Sequence, residues 1–145
     1  MFKIDLAKAF DRIEWSFIAQ ALQHQGFQSD FIDCVHSCIT LPTFSVVIND
    51  QSFGRFNASR GLRQGCTLLP CLFVLAINEL SVHLQQALDD NNLSGVTLGP
   101  GCPPIHSLLF AEDLIIYGKA DICEAACIKS IQDFCDQSGQ TLNWS

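Results

Sequence analysis

Charge is scarce in this sequence, and positive charge is scarcest. Only 16% of the 145 residues are charged, and 15 acids outnumber eight Lys and Arg, for a net charge of −7. A surface of that sign excludes sequence-independent nucleic-acid binding over the whole molecule. It leaves room for a local groove, and basic walls for a duplex are expected outside this chain. No uninterrupted apolar run is longer than Cys71–Ile77. That run is too short to cross a bilayer, so no membrane partner is expected. The start, Met1-Phe2-Lys3-Ile4-Asp5, has no signal-peptide core, so nothing marks secretion. The eight cysteines are therefore expected in a reducing, intracellular setting. There is no C-x-x-C pair to suggest a zinc or redox module. Cys34/Cys38 and Cys123/Cys127 are each four apart, which on a helix is one face, and the spacing predicts core packing. No internal repeat or linker divides the chain.

Apolar residues, in contrast, make up 48% of the sequence, enough for one domain with a real core. The pattern predicts a strand over Met1–Leu6 and a helix over Ile13–Gln25, with Trp15, Phe17, Ile18 and Leu22 inward and Gly26 ending it. Ser29 is placed to cap a helix over about Asp30–Thr40, with Pro42 after its end. Phe44–Ile48 and Phe53–Asn57 read as strands joined through Asn49-Asp50-Gln51. Ser59–Leu69 is a polar loop with two glycines and two arginines. Pro70 opens a helix to about Leu88 whose first half is apolar almost all round and is expected deep in the core. Asp89–Asn92 is a solvated loop and Gly99–Pro104 a rigid turn. A hairpin over Ser107–Gly118, a helix over Ala120–Gln137 with Ile122, Ala126, Ile131 and Phe134 inward, and a strand over Thr141–Trp144 complete the order. That order predicts an α+β fold: an antiparallel sheet with helices on one face.

The hairpin Ser107–Gly118 carries the chemistry. Two apolar runs flank the adjacent acids Glu112 and Asp113, which places both at the tip. Adjacent carboxylates repel, and burying them costs several kcal/mol unless a cation neutralises them. Mg²⁺ and Mn²⁺ prefer such carboxylate oxygens. Asp5 ends the first strand, and if that strand pairs beside the hairpin, Asp5 meets Glu112 and Asp113. Three carboxylates there would hold two ions, the arrangement that serves phosphoryl and nucleotidyl transfer. Asp11 reads as an acid at a helix N-terminus, favourable to the helix dipole.

Three stretches now stand in order: Asp5-Leu6-Ala7-Lys8-Ala9-Phe10-Asp11, Ser59-Arg60-Gly61-Leu62-Arg63-Gln64-Gly65-Cys66 and Phe110-Ala111-Glu112-Asp113. They resemble motifs A, B and C of the reverse transcriptases of non-LTR (LINE-type) retrotransposons, those of plants most of all, and the likeness covers essentially all 145 residues. The resemblance implies a polymerase palm, a partial reverse transcriptase domain over 1–145 with the start of motif D at Gly139, Thr141 and Asn143. Fingers and thumb would largely be missing from it. It implies an RNA-directed DNA polymerase working with two Mg²⁺ or Mn²⁺ ions on an RNA template, a DNA primer and dNTPs, with a nuclear setting. It implies that Asp5, Glu112 and Asp113 hold the ions, that the Leu6 carbonyl helps, and that Phe10 is the gate excluding a ribose 2′-OH. Gln64 and Gly65 would contact the incoming nucleotide and template, and Arg60 and Arg63 phosphate.

Two motifs depart from the family pattern. Glu112 stands where the family has Asp, and the added methylene moves the carboxylate by roughly 1 Å, a displacement that can cost about 10²-fold in rate. Thr67 and Leu69 stand where the family has Pro and Ser. The departures raise an alternative: a non-catalytic retroelement remnant or interaction module without polymerase activity.

Overall fold

The structure is a computed structural model that describes residues 1–119 and 121–143, with side chains at all of these except 123 and 125–130. It starts with β1 (Phe2–Leu6), where strict alternation buries Ile4 and Leu6 and leaves Lys3 and Asp5 on the other face. A single helical turn, α1 (Ala9–Arg12), follows directly. The predicted helix over Ile13–Gln25 begins later, as α2 (Trp15–His24), because Ile13 takes an extended conformation between the two helices. Phe17, Ile18, Ala21 and Leu22 form the buried stripe of α2, with Trp15 packed at its margin. Gly26 ends this helix as expected: its φ of +83° turns the chain so that the Phe27 amide donates to the Leu22 carbonyl.

In α3 (Ser29–Thr40) two expectations fail. The capping position is Gln28, and the Ser29 hydroxyl donates to the Asp30 carboxylate rather than accepting from a backbone amide as a cap would. Cys34 and Cys38 are exposed rather than core. The reason is geometric: α3 packs chiefly on α2, through a stripe of Ile32, Val35 and Ile39, and at 100° per residue both cysteines fall to one side of it. The equivalent question for Cys123 and Cys127 lies outside the described side chains, as does Ala126.

Strands β2 (Thr43–Ile48) and β3 (Gln51–Asn57) form a separate hairpin whose turn is Asn49-Asp50, both at positive φ, so Gln51 belongs to the strand. Helix α4 (Leu69–Asp89) starts one residue before the expected Pro70, which lies in its first turn. It is not buried all round: Leu69, Leu72, Phe73, Ala76, Ile77, Leu80 and Leu84 face the core while Val74 is 64% exposed. Over its full length α4 is apolar enough to cross a membrane, which the seven-residue run did not suggest. Here it is the central core helix, packed between α2 and α5.

Strands β4 (Ser107–Phe110) and β5 (Asp113–Ile116) are the predicted hairpin. Helix α5 (Ile122–Ser138) buries Ile131, Phe134 and Cys135, but Ile122 is 91% exposed at its first turn, before the helix reaches the core. The short β6 (Leu142–Asn143) realises the last strand, and Trp144, Ala120 and Ser145 fall outside the described residues.

The main sheet runs β4-β5-β1-β6, antiparallel throughout. Ile4, Leu6, Leu114 and Ile116 turn from it into the core beneath α2, α4 and α5. The fold is thus the expected α+β arrangement, a small palm-like sheet covered by helices on one face.

Two outcomes follow from this packing. Leu80 is fully buried, and Leu80→Ala should cost about 2–5 kcal/mol in urea denaturation. Burial pushes the Cys135 thiol up to about 11, so a disulfide reagent at pH 8 should modify exposed Cys34, Cys38, Cys71 and Cys102 quickly and Cys135 only after denaturation, as peptide mapping would read.

Candidate active site

The register of β1 on β5 brings the acids together. Phe2 faces Ile116, Ile4 faces Leu114, and Asp5 faces Asp113. The Leu6 amide donates to the Glu112 carbonyl at 3.1 Å. Residues 6 and 112 are therefore a hydrogen-bonded pair, and the adjacent pair, Asp5 with Asp113, is the non-hydrogen-bonded kind. Its Cα atoms approach to about 4.5 Å with side chains on the same face, the closest cross-strand approach that a ladder offers. Because Ile4 and Leu6 take the core, Asp5 and Asp113 share the open face of the sheet.

Like charges directly opposite destabilise a sheet, and each carboxylate has its own partner. Lys3, on the same face, brings its Nζ to 3.6 Å from Asp113 Oδ1, with both side chains mostly in solvent. Asn143 on β6 lies opposite Asp5 and donates from Nδ2 to Asp5 Oδ2 at 3.0 Å. Sequence reasoning assigned Lys3 nothing, and placed Asn143 only by its motif. Their signal was the period of two: Lys3 shares a face with Asp5 on that count alone.

An open cleft of about 400 Å³ begins at Asp5. Its lining includes Asp5, Leu6, Phe10, Asp11, Gln64, Glu112 and Asn143. Phe10 forms part of its wall while stacking on Phe73 in the core, with ring centroids 4.3 Å apart. Phe10 is thus a core residue and part of the cleft wall at once. Gln64 arrives on the 58–69 loop, which is pinned against α1 and α2. The Gly61 amide donates to the Ile13 carbonyl at 2.8 Å, the Leu62 amide to the Phe10 carbonyl at 2.7 Å, and the Trp15 indole to the Gly61 carbonyl at 2.7 Å. Gly65 follows Gln64 at a φ of +87°, where the loop turns.

The arginines are not brought to the acids. Arg60 and Arg63 line a separate cavity of about 250 Å³ bounded by Cys38, Pro42 and Leu68, and the Arg60 guanidinium is 3.2 Å from the Glu14 carboxylate. Of the three acids, Asp5 and Asp113 face each other, and Glu112 sits beside them in the turn on the cleft wall.

The turn is strained. Ala111 has a φ of +51° and Lys8, where β1 passes into α1, has a φ of +53°. The other non-glycine residues at positive φ among those described are Asn and Asp, which tolerate it. The two that do not both flank the cleft, where such strain tends to collect.

As donors, facing carboxylates suit a hard divalent cation. The residues fit such an ion by chemistry and by face. Among the described residues, however, no group of three or more His, Cys, Asp or Glu side chains is gathered to hold one.

The family model described as reverse transcriptase (RNA-dependent DNA polymerase) matches residues 1–145. A retrovirus-related Pol polyprotein from type-1 retrotransposable element R2 of Popillia japonica is 28% identical over 140 residues, 97% of this chain and 22% of that protein. The corresponding polyprotein from type-2 retrotransposable element R2DM of Drosophila melanogaster is 25% identical over 140 residues, 97% of this chain and 12% of its own length. An uncharacterized mitochondrial protein of Arabidopsis thaliana is 40% identical over 67 residues, 46% of this chain and 55% of its own. The chain spans about a fifth of the length of the first-named relative.

Two substitutions test this geometry. A Cβ on Gly61 would stand 2.6 Å from the Asp11 carbonyl oxygen, at a φ of +84°, so Gly61→Ala should displace the loop and lower stability by about 1–3 kcal/mol. Ala111→Gly should do the reverse, gaining up to about 1 kcal/mol in thermal unfolding by relieving the left-handed turn.

Proposed function

The chain belongs to the reverse transcriptase (RNA-dependent DNA polymerase) family, and from that premise we propose that it is the palm of a retroelement RNA-directed DNA polymerase whose activity is impaired by Glu112. The observation that carries the reading is the facing pair Asp5 and Asp113, with Asp5 and Glu112 lining a cleft that Phe10 and Gln64 also wall.

Asp5, Glu112 and Asp113 would hold Mg²⁺ or Mn²⁺, two ions in the full arrangement, with the Leu6 carbonyl as a further oxygen. Such ions supply activation of the attacking 3′ oxygen and stabilisation of the leaving one. The chain's own residues do the rest. The register of the sheet holds Asp5 and Asp113 opposite each other on one face before substrate arrives. Phe10, fixed by its stack on Phe73, offers a rigid edge against which a ribose 2′-OH would clash, favouring dNTPs. Gln64 and Gly65, on a loop anchored by three hydrogen bonds, would contact the incoming nucleotide and template. Arg60 and Arg63 would meet phosphate only from the far side of that loop, Arg60 after leaving Glu14. An RNA template and a DNA primer are the implied partners, and basic surface beyond this chain would have to grip them, given its net charge of −7. The finer placement, a non-LTR element of the plant type, rests on the spelling and order of the three motifs.

A second reading has its own observation. Glu112 replaces the expected Asp, as suits a remnant that keeps the core and has lost catalysis.

Primer extension on an RNA template with dNTPs and Mn²⁺ separates the two. The proposal expects Glu112→Asp to extend at least about tenfold faster than the unmodified chain, and Asp5→Ala to be silent. Extension by Asp5→Ala equal to the unmodified chain would remove Asp5 from the site. Silence from all three would favour the remnant.

A further inference from the structure

We propose that Asn143 is a positioning residue for Asp5: its side-chain amide fixes the Asp5 carboxylate in the orientation that a divalent cation needs, without spending the charge that binds it. The inference rests on the metal-binding reading above.

The two aspartates are satisfied in different ways. Asp113 is met by a charge, the Lys3 ammonium at 3.6 Å, on a side chain largely in solvent. Asp5, half-buried, is met by a neutral donor, Asn143 Nδ2 at 3.0 Å. The difference matters when a cation approaches. An ammonium offsets the carboxylate's charge, so Lys3 competes with an ion for Asp113. An amide donating to one oxygen leaves the net charge at −1 and most of the carboxylate's four lone-pair sites open. Asn143 can therefore stay in place throughout, as the outer partners that orient metal-binding carboxylates do.

The placement is set by the fold. β6 is two residues long and lies against the far side of β1 from the hairpin. Its register is held by the Ala7 amide, which donates to the Thr141 carbonyl at 2.9 Å, and this puts Asn143 opposite Asp5 on the open face. Leu142, the neighbour in the strand, turns the other way and packs against the core. The core contact thus anchors the strand, and the amide is delivered to the carboxylate by alternation alone. Asp5 stands between two strands, with its cation-sharing partner on one and its orienting partner on the other.

The test is titration of the 145-residue chain with Mn²⁺, read by the electron paramagnetic resonance signal of the free ion, alongside thermal unfolding in metal-free buffer. Asn143→Leu keeps the shape of the side chain and deletes the donor. It should weaken Mn²⁺ binding by about tenfold with the metal-free unfolding midpoint unchanged. Lys3→Met should move affinity the other way, strengthening it by about two- to threefold at low salt, because it removes the competing cation. A purely structural role for Asn143 would shift the unfolding midpoint and leave affinity alone. Mn²⁺ binding that is lost in Asp5→Asn but equal in Asn143→Leu and the unmodified chain would overturn the positioning role and leave the metal site standing. Absence of binding in the unmodified chain, or binding unaffected by Asp5→Asn, would overturn the metal reading and the positioning role with it.

Discussion

Ile4 lies opposite Leu114, and Asp5 lies opposite Asp113. A slip of one residue between these strands would turn every side chain over. It would drive the aspartates beneath α4 and expose Ile4 and Leu6, each now at most 6% accessible. Burial of an isolated carboxylate costs several kcal/mol, and each lost aliphatic contact about 1.5–3 kcal/mol. The apolar face therefore sets the register, and the register sets the acidic site. Stability and candidate chemistry come from the two sides of the same short strand.

The rest of the cleft is assembled around that strand by close approaches. Gly61 allows the 58–69 loop to lie on the backbone of Asp11, and Trp15 holds it there. Lys8 and Ala111, both in left-handed conformations, make the tight passages on either side of Asp5 and Glu112. Phe10 joins the two halves, since one face of its ring belongs to the core through Phe73 and the residue also lines the cleft. The arginines point elsewhere: Arg60 is tied to Glu14 and lines a different cavity with Arg63. The basic groups nearest the acids are lysines instead: Lys3 meets Asp113, and Lys8 lines the cleft.

Much of this was legible in the sequence because it depends on local periodicity. Alternation in KIDL and in the hairpin marked the sheet, its inward face and the acids at its tip, and Pro70 marked the start of α4. The failures share a physical cause: they depend on which neighbour an element meets. Cys34 and Cys38 share a helix face, but only the packing of α3 on α2 decides that the face is outside. The first half of α4 is apolar all round, yet Val74 meets no neighbour that covers it. Ser29 has the chemistry of a cap and sits one residue too late. Asn143 acquires its partner 138 residues away in sequence, a pairing that no local pattern contains.

The central claim is that Asp5 and Asp113 form one cation site on the open face of the sheet. Its most direct measurement is the paramagnetic broadening of amide NMR signals by substoichiometric Mn²⁺. The account predicts that Asp5, Leu6, Glu112, Asp113 and Asn143 broaden first, and that Asp5→Asn abolishes the effect at all of them together. Broadening centred instead on another acidic stretch such as Asp89-Asp90, unchanged by Asp5→Asn, would contradict it.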